Sequence, residues 1–298
     1  MCRHDRIVYG LSALAISGIL LTAASLCGND AKLASAEILA RHLDSIGPAA
    51  ARAAIKSRVA QGTGHLKVLV GGHANMTGSA VSASEGRKDM FAIDFNYKQY
   101  PREAAAFDGD KVHAPRVTAE SRSPLGDFLN TYDWILRDGL LGGSLSTAWP
   151  LLSLEGRHAD VKYAGLKKIA GRELHRFDYH DKGAGDMKVS LYFEPESFRH
   201  VMTAYELSAA ATIGSGPDSD QFSGHRSSRS AGQLPTRYRL QENFSDFRTV
   251  DGLTLPSHWT LQLTIEQGPR TSLWEWDLTF TKVTHNLEID PKVFTLEQ

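Results

Sequence analysis

The chain has 298 residues and a formal net charge of -1, so bulk electrostatics do not recruit it to nucleic acid. A hydrophobic content of 42% with 22% charged residues is that of a soluble globular protein with a real core. The two cysteines, Cys2 and Cys27, lie in or at the edge of the N-terminal segment, which leaves the folded part with no disulfide and no cysteine-based metal site.

Arg3 and Arg6 precede an uncharged stretch from Ile7 to Asn29, followed by small residues. That is the pattern of a secretory signal, read here over residues 1–34. Two endings compete. Ordinary cleavage suits Thr22–Ala23–Ala24 or Ala34–Ser35–Ala36, whereas Ala24–Ser25–Leu26–Cys27 reads as a lipobox that would leave Cys27 lipidated. Leu26 is large where a lipobox has a small residue, so lipidation ranks second. The apolar run is also long enough to serve as an uncleaved anchor. The expected location is the periplasm, with attachment to a membrane through Cys27 as the alternative.

Ser35 is placed to cap a short helix from Ala36, in which Ile38, Leu39, His42, Leu43 and Ile46 share a face and Gly47 ends the helix. Pro48 opens a second, alanine-rich turn. From Ser57 the period changes to two. Strands are expected around Leu66–Val70, Met76–Ser84, Phe91–Tyr97, Glu103–Phe107 and Val112–Thr118, the last two joined by Asp108–Gly109–Asp110.

Ser123–Leu152 interrupts this series. Ser123 is a candidate N-cap and Pro124 a first helical residue. Leu125, Phe128, Leu129, Tyr132, Ile135 and Leu136 form one apolar stripe of a single helix that ends at Gly139, with Trp134 on its polar side. Gly142 and Gly143 lead to a second apolar turn containing Trp149 and broken by Pro150. Strands then resume at Ala159–Ile169, Arg172–His180, Val189–Phe193 and Phe198–Ala209. The Gly-, Ser- and Asp-rich stretch 212–233 is expected to be a flexible loop. Thr236–Thr249, Ser257–Gln267 and Thr271–His285 complete about eleven strands, which argues for an antiparallel sheet. The turns are short on both sides of the helical insertion, so residues 35–298 read as one domain.

No catalytic constellation stands out. His175 and His180 are five apart on a strand and point to opposite faces, and His258 and His285 fall on separate strands, so no metal site is expected. Ser144 and Ser146 lack the strand–elbow–helix context of a hydrolase nucleophile. No cofactor motif appears. The tryptophans Trp134, Trp149, Trp259, Trp274 and Trp276 read as core packing or as the wall of a cavity for an apolar ligand.

Taken in order, the helix SAEILARHLDSIG, the hairpin LYFEPESFRHV, the turn FRTVDGLTLPSHW and the closing WEWDLTFTKVTHNLEIDPKVFTL resemble the LolA-type outer-membrane lipoprotein-sorting superfamily, which includes LolB- and RseB-like domains. The resemblance spans Ser35 to Leu296. It implies a mainly β fold, an incomplete antiparallel β-barrel covered by the N-terminal helix and by the insertion 123–152. It also implies a non-catalytic periplasmic carrier for lipoprotein acyl chains or other hydrophobic ligands. On this reading Leu125, Phe128, Leu129, Tyr132, Trp134, Ile135, Leu136 and Trp149 form a ligand cavity or lid, and Gly139, Gly142 and Gly143 hinge it. The expected partners are lipid or lipoprotein acyl chains and an envelope protein. No nucleic acid is expected, and the protein should be a monomer. An RseB-like sensor that uses the same cavity is the alternative, and a hydrolase on a β scaffold ranks last.

Overall fold

Period-two alternation of apolar residues resolves into twelve strands among the described residues. The computed structural model describes residues 23–117, 121–154, 157, 159–209 and 235–297, with side chains from Ser35 onward except at Ala209. Residues 1–22, which include most of the expected signal, and the expected loop 212–233 lie outside the described residues.

The first half of the sheet contains β1 (Ser57–Val70), β2 (Asn75–Glu85), β3 (Lys88–Phe95), β4 (Arg102–Phe107) and β5 (Val112–His113). The second half contains β6 (Ala159–Ile169), β7 (Arg172–Asp181), β8 (Lys188–Phe193), β9 (His200–Ala209), β10 (Thr236–Val250), β11 (Leu253–Gln267) and β12 (Arg270–His285). All pairings are antiparallel, in the order β5-β4-β3-β2-β1-β12-β11-β10-β9-β8-β7-β6. Each half is a meander of hairpins, and the halves join where β1 pairs with β12, from Arg58↔His285 to Val70↔Leu273. The sheet does not close, because β5 and β6 remain its two edges. The fold is an incomplete antiparallel barrel. Of the expected strand Val112–Thr118, only Val112 and His113 are extended among the described residues, since Pro115 has no N–H to offer a ladder, and Thr118 lies outside them.

The chain between the two edge strands is the insertion. It turns into the barrel, and its side chains form one core with the inner faces of the strands. Ser123 caps α3 (Pro124–Thr131): its side chain accepts from Gly126 N at 2.8 Å, and Pro124 occupies the first turn. The expected single helix breaks at Tyr132, whose φ of -111° and ψ of 52° leave the helical region, and α4 (Trp134–Arg137) follows. The break re-aims the second segment. Trp134, expected on the polar side, is therefore buried, and Tyr132 is half-buried. Gly139 ends α4 as expected, at φ +69°. Its N–H reaches Leu136 O and that of Leu140 reaches Ile135 O, the paired bonds of a Schellman cap. Two 3-10 turns, Gly143–Leu145 and Pro150–Leu152, complete the insertion.

The N-terminal helix α1 (Ala23–Ile46) packs on β6, β11 and the second 3-10 turn. Its helical backbone begins upstream of Ser35, so Ser35 is an interior residue and not the expected cap. The short helix α2 (Ala49–Ala54) follows. On the outer face, α5 (Lys292–Thr295) buries Phe294 against the alanine-rich strands β3 and β4.

Close packing should make Gly139 intolerant. A Cβ there would lie 2.2 Å from Ala148 O, whereas at Gly165 (φ +84°) no atom lies within 4 Å. Gly139→Ala is expected to cost about 3 kcal/mol, left-handed strain plus overlap with backbone, and Gly165→Ala about 1 kcal/mol, strain alone. Urea denaturation of the two variants measures the difference.

Candidate functional site

The insertion places irregular backbone in the interior, where every N–H and C=O needs a partner. The sheet supplies them with charged and polar side chains that point inward. Arg58, on β1, donates through Nη1 to Ser144 O (2.9 Å) and Leu145 O (2.7 Å). Its Nε donates to His285 Nε2 at 3.2 Å, and His285 Nδ1 in turn donates to Asp251 at 2.8 Å. Glu242, on β10, accepts from Gly142 N (2.8 Å), Tyr205 OH (2.8 Å) and Trp259 Nε1 (3.0 Å). Glu103, on β4, accepts from Ser123 Oγ (2.7 Å), Trp276 Nε1 (3.1 Å) and the Tyr100 hydroxyl. The residue that caps α3 is thus itself held by a buried carboxylate. Asp89, on β3, is hydrogen-bonded to Ser146, and Ser84 Oγ accepts from Thr147 N at 2.9 Å.

Trp149 carries the contact with α1. Its Nε1 donates to His42 Nε2 at 3.1 Å, and the opposite ring nitrogen of His42 donates to Phe198 O at 3.1 Å, which fixes a neutral tautomer. The indole stacks on His200 with ring centroids 4.6 Å apart. At Gly143 (φ +52°) a Cβ would meet His200 Nδ1 at 2.7 Å. Arg157, just past the insertion, donates to Asp138 O and Ala148 O.

Burial sets the protonation of these groups. Removal from water opposes the charged form and pushes Asp89, Glu103 and Glu242 each up to about 7, despite the donors around them. The same effect holds His42 down to about 4 and His200 well below the ordinary histidine value. Arg58 is lowered to about 10 and stays charged at neutral pH.

The residues expected to form a cavity or lid do come together. Leu125, Phe128, Leu129, Trp134, Ile135, Leu136 and Trp149 are all buried in the common core, with Tyr132 packed against it. They fill the barrel. Gly139, Gly142 and Gly143 all take positive φ; two of them are closely packed, and a Cβ at Gly142 would only touch Trp259 at 3.9 Å. A cavity of about 430 Å³ lies beside the insertion, between α1, α2 and the ends of β1 and β2, and touches the insertion only at Ser144, Thr147 and Leu152. Cys27 lies on the helical backbone of α1, within the stretch whose side chains are not described.

Among the described residues, no group of three metal-ligating side chains comes together. A cross-strand row does pair Ser245 Oγ with His258 Nδ1 and His258 Nε2 with Asp277 Oδ1, both at 2.9 Å. These residues alternate with buried Phe244, Trp259 and Trp276 and so lie on the outer face, away from the cavity beside the insertion. The imidazole is also reversed relative to a hydrolase triad, in which Nε2 faces the serine.

Sequence reasoning passed over Asp89, Glu103, Glu242 and Arg58. Their signal was a charge in the apolar phase of a strand, as in Asp89–x–Phe91–x–Ile93, Glu103–x–Ala105–x–Phe107 and Leu240–x–Glu242–x–Phe244.

The sequence matches no family model and no curated protein. In fold, it is similar to a putative outer membrane lipoprotein-sorting protein domain from Vibrio parahaemolyticus, at 8% identity over 87% of this chain and 95% of that one, with a TM-score of 0.42. It is also similar to a LolA superfamily protein from Nitrosomonas europaea, at 14% identity over 87% of this chain and 96% of that one, with a TM-score of 0.41.

The buried acids predict a signed pH dependence. A carboxyl raised in the fold contributes stability that is fully present below its ordinary value of about 4 and is lost as pH rises to about 7. The two histidines act in the opposite direction: their contribution is present above about 6.5 and is lost as pH falls, towards about 4 for His42. Glu242→Gln removes one acid term. Relative to the parent, it should be more stable at pH 8 than at pH 5 by about 2 kcal/mol, as read from urea denaturation at the two pH values.

Proposed function

We infer that this protein is a non-catalytic binding protein of the cell envelope that takes up acyl chains of lipids or lipoproteins in the space now filled by residues 123–152. One observation carries the reading: the inner face of an unclosed barrel is covered by a segment tethered at both sheet edges and hydrogen-bonded to the sheet through side chains, outside any strand ladder. The aliphatic and aromatic walls exchange one apolar occupant for another at little net change, at about 25 cal/mol per Å² on either side. The opposing cost is the loss of the polar anchors, about 0.5–1.5 kcal/mol for a neutral contact and up to about 3 kcal/mol where one partner is charged. The N-terminal pattern of Arg3, Arg6 and the apolar run to Asn29 supports export to the periplasm. The outer-face position of Ser245, His258 and Asp277 weighs against the hydrolase alternative.

The test couples ligand uptake to the state of the insertion. A fluorescent fatty-acyl probe is expected to bind saturably, and hydrogen exchange across residues 124–152 should rise on binding. At pH 5, where the contribution of the protonated carboxyl to the closed form is still present, Glu242→Ala, which removes the acceptor of Gly142 N, should lower the probe Kd by about three- to tenfold by making the open form less costly. Absence of saturable uptake, or uptake with unchanged exchange in residues 124–152, would sink the displacement reading.

A further inference from the structure

We propose that the cavity between α1, α2 and the insertion binds a single-chain anionic amphiphile, with its oxyanion headgroup on Arg52 and Lys56 and its chain against Leu43, Ile46 and Leu253. The site stands apart from the filled barrel interior and needs no movement of the insertion.

Three cations, Arg52, Lys56 and Arg58, line this space of about 430 Å³, and no acidic side chain is among the lining residues. That volume is typical of a small-molecule site, which runs from about 300 to 1,000 Å³. Arg58 forms the charged floor: its Nη1 and Nε are committed to the insertion and to His285, so it contributes charge but no grip from those atoms. Arg52 is different. Its Nη1 is buried and has no hydrogen-bond partner among the described residues. A buried donor left unmet costs about 1–3 kcal/mol, and a ligand oxyanion would recover that cost. Lys56 is exposed at the rim, where Nζ donates to Ala53 O at 2.9 Å and can turn to an incoming anion. The remaining wall is mostly aliphatic, with Ser144 and Thr147 on the side of the insertion: Ile46 and Leu253 are buried, and Leu43 is half-buried. Cations on one side of an apolar wall match a ligand with one charged end. A neutral lipid would leave the guanidinium unmet, and a bare inorganic anion would leave the wall wet.

Carboxylate and phosphate monoester share the chemistry that Arg52 and Lys56 recognise, so the test uses both. Titration calorimetry of the full chain at 150 mM salt compares decanoate, decyl phosphate, decanol and inorganic phosphate, with hydrogen exchange followed in parallel. Decanoate or decyl phosphate should bind saturably, and the tighter of the two assigns the headgroup. Decanol and inorganic phosphate should each bind at least tenfold more weakly. Arg52→Gln and Lys56→Gln should each weaken the anionic amphiphile by about three- to tenfold, in keeping with loss of a charge-assisted contact. Arg239→Gln, which alters an exposed pair with Glu206, should leave it unchanged. Exchange in residues 124–152 should stay at its unliganded level, so this site can hold while the displacement reading fails, and the reverse. Decanol binding as tightly as decanoate, phosphate binding as tightly as decyl phosphate, or indifference to both charge variants would overturn the proposal.

Discussion

Everything inside this barrel depends on one constraint: a non-helical stretch of backbone, Gly139–Trp149, lies where water cannot reach it. Buried N–H and C=O groups must be met, and the stretch meets only some of its own: Gly143, Leu145, Ser146 and Trp149 donate within it, whereas Gly142 N, Thr147 N and the carbonyls of Ser144 and Leu145 are met from the sheet. The sheet answers from inward-pointing positions with Arg58, Ser84, Asp89 and Glu242, while Glu103 holds the cap of α3. These groups explain otherwise odd features of the core. Three acids lie among phenylalanines and leucines, each surrounded by donors, and each has its carboxyl raised because the donors offset only part of the desolvation.

The topology explains why the insertion is the segment in that position. Two hairpin meanders joined by β1 and β12 leave β5 and β6 as edges, and the chain must cross from one to the other. A short surface loop would leave a wide apolar face open to solvent. The connection instead turns inward, and the edges are protected in other ways. β5 is two residues long, and β6 carries a register shift between Tyr163 and Leu166 together with Lys162, Lys167 and Lys168. Short, bulged and lysine-bearing edges resist pairing with other chains.

Much of this fold was legible in the sequence because its signals are local. Alternation gave most strands to within a few residues, though β1 begins well upstream of Leu66 and β5 is far shorter than expected; Asp108–Gly109–Asp110 and Val250–Asp251–Gly252 marked turns, and Ser123–Pro124 and Gly139 marked the ends of the helical region. The break at Tyr132 was not legible. Leu125 to Leu136 fit one uninterrupted stripe, and only the shape of the space inside the barrel requires the kink that turns Trp134 inward. The polar anchors were harder still. Arg58 and Ser144 are 86 residues apart, and Trp276 and Glu103 are 173 apart, so no window of sequence holds both partners. Half of each signal was present: a charge in the apolar phase of a strand. Its meaning depends on the identity of the facing segment, which pairing across β1 and β12 decides.

The division of labour between apolar and polar contacts bears directly on the binding function inferred for the barrel. Leu129, Ile135 and Leu136 are held by a force that depends on area and is indifferent to which hydrocarbon supplies it. Such contacts alone would not distinguish the insertion from an acyl chain. The anchors do distinguish them, since Glu242 needs an N–H and Arg58 needs carbonyl oxygens, and a methylene chain offers neither. On the inferred binding reading, the anchors would select the insertion as occupant while no ligand is present, and the same unmet groups would draw it back when a ligand left. A purely apolar plug would be held more simply, but it would carry no preference for its own return. The buried acids, costly as isolated charges, therefore fix the insertion in one place.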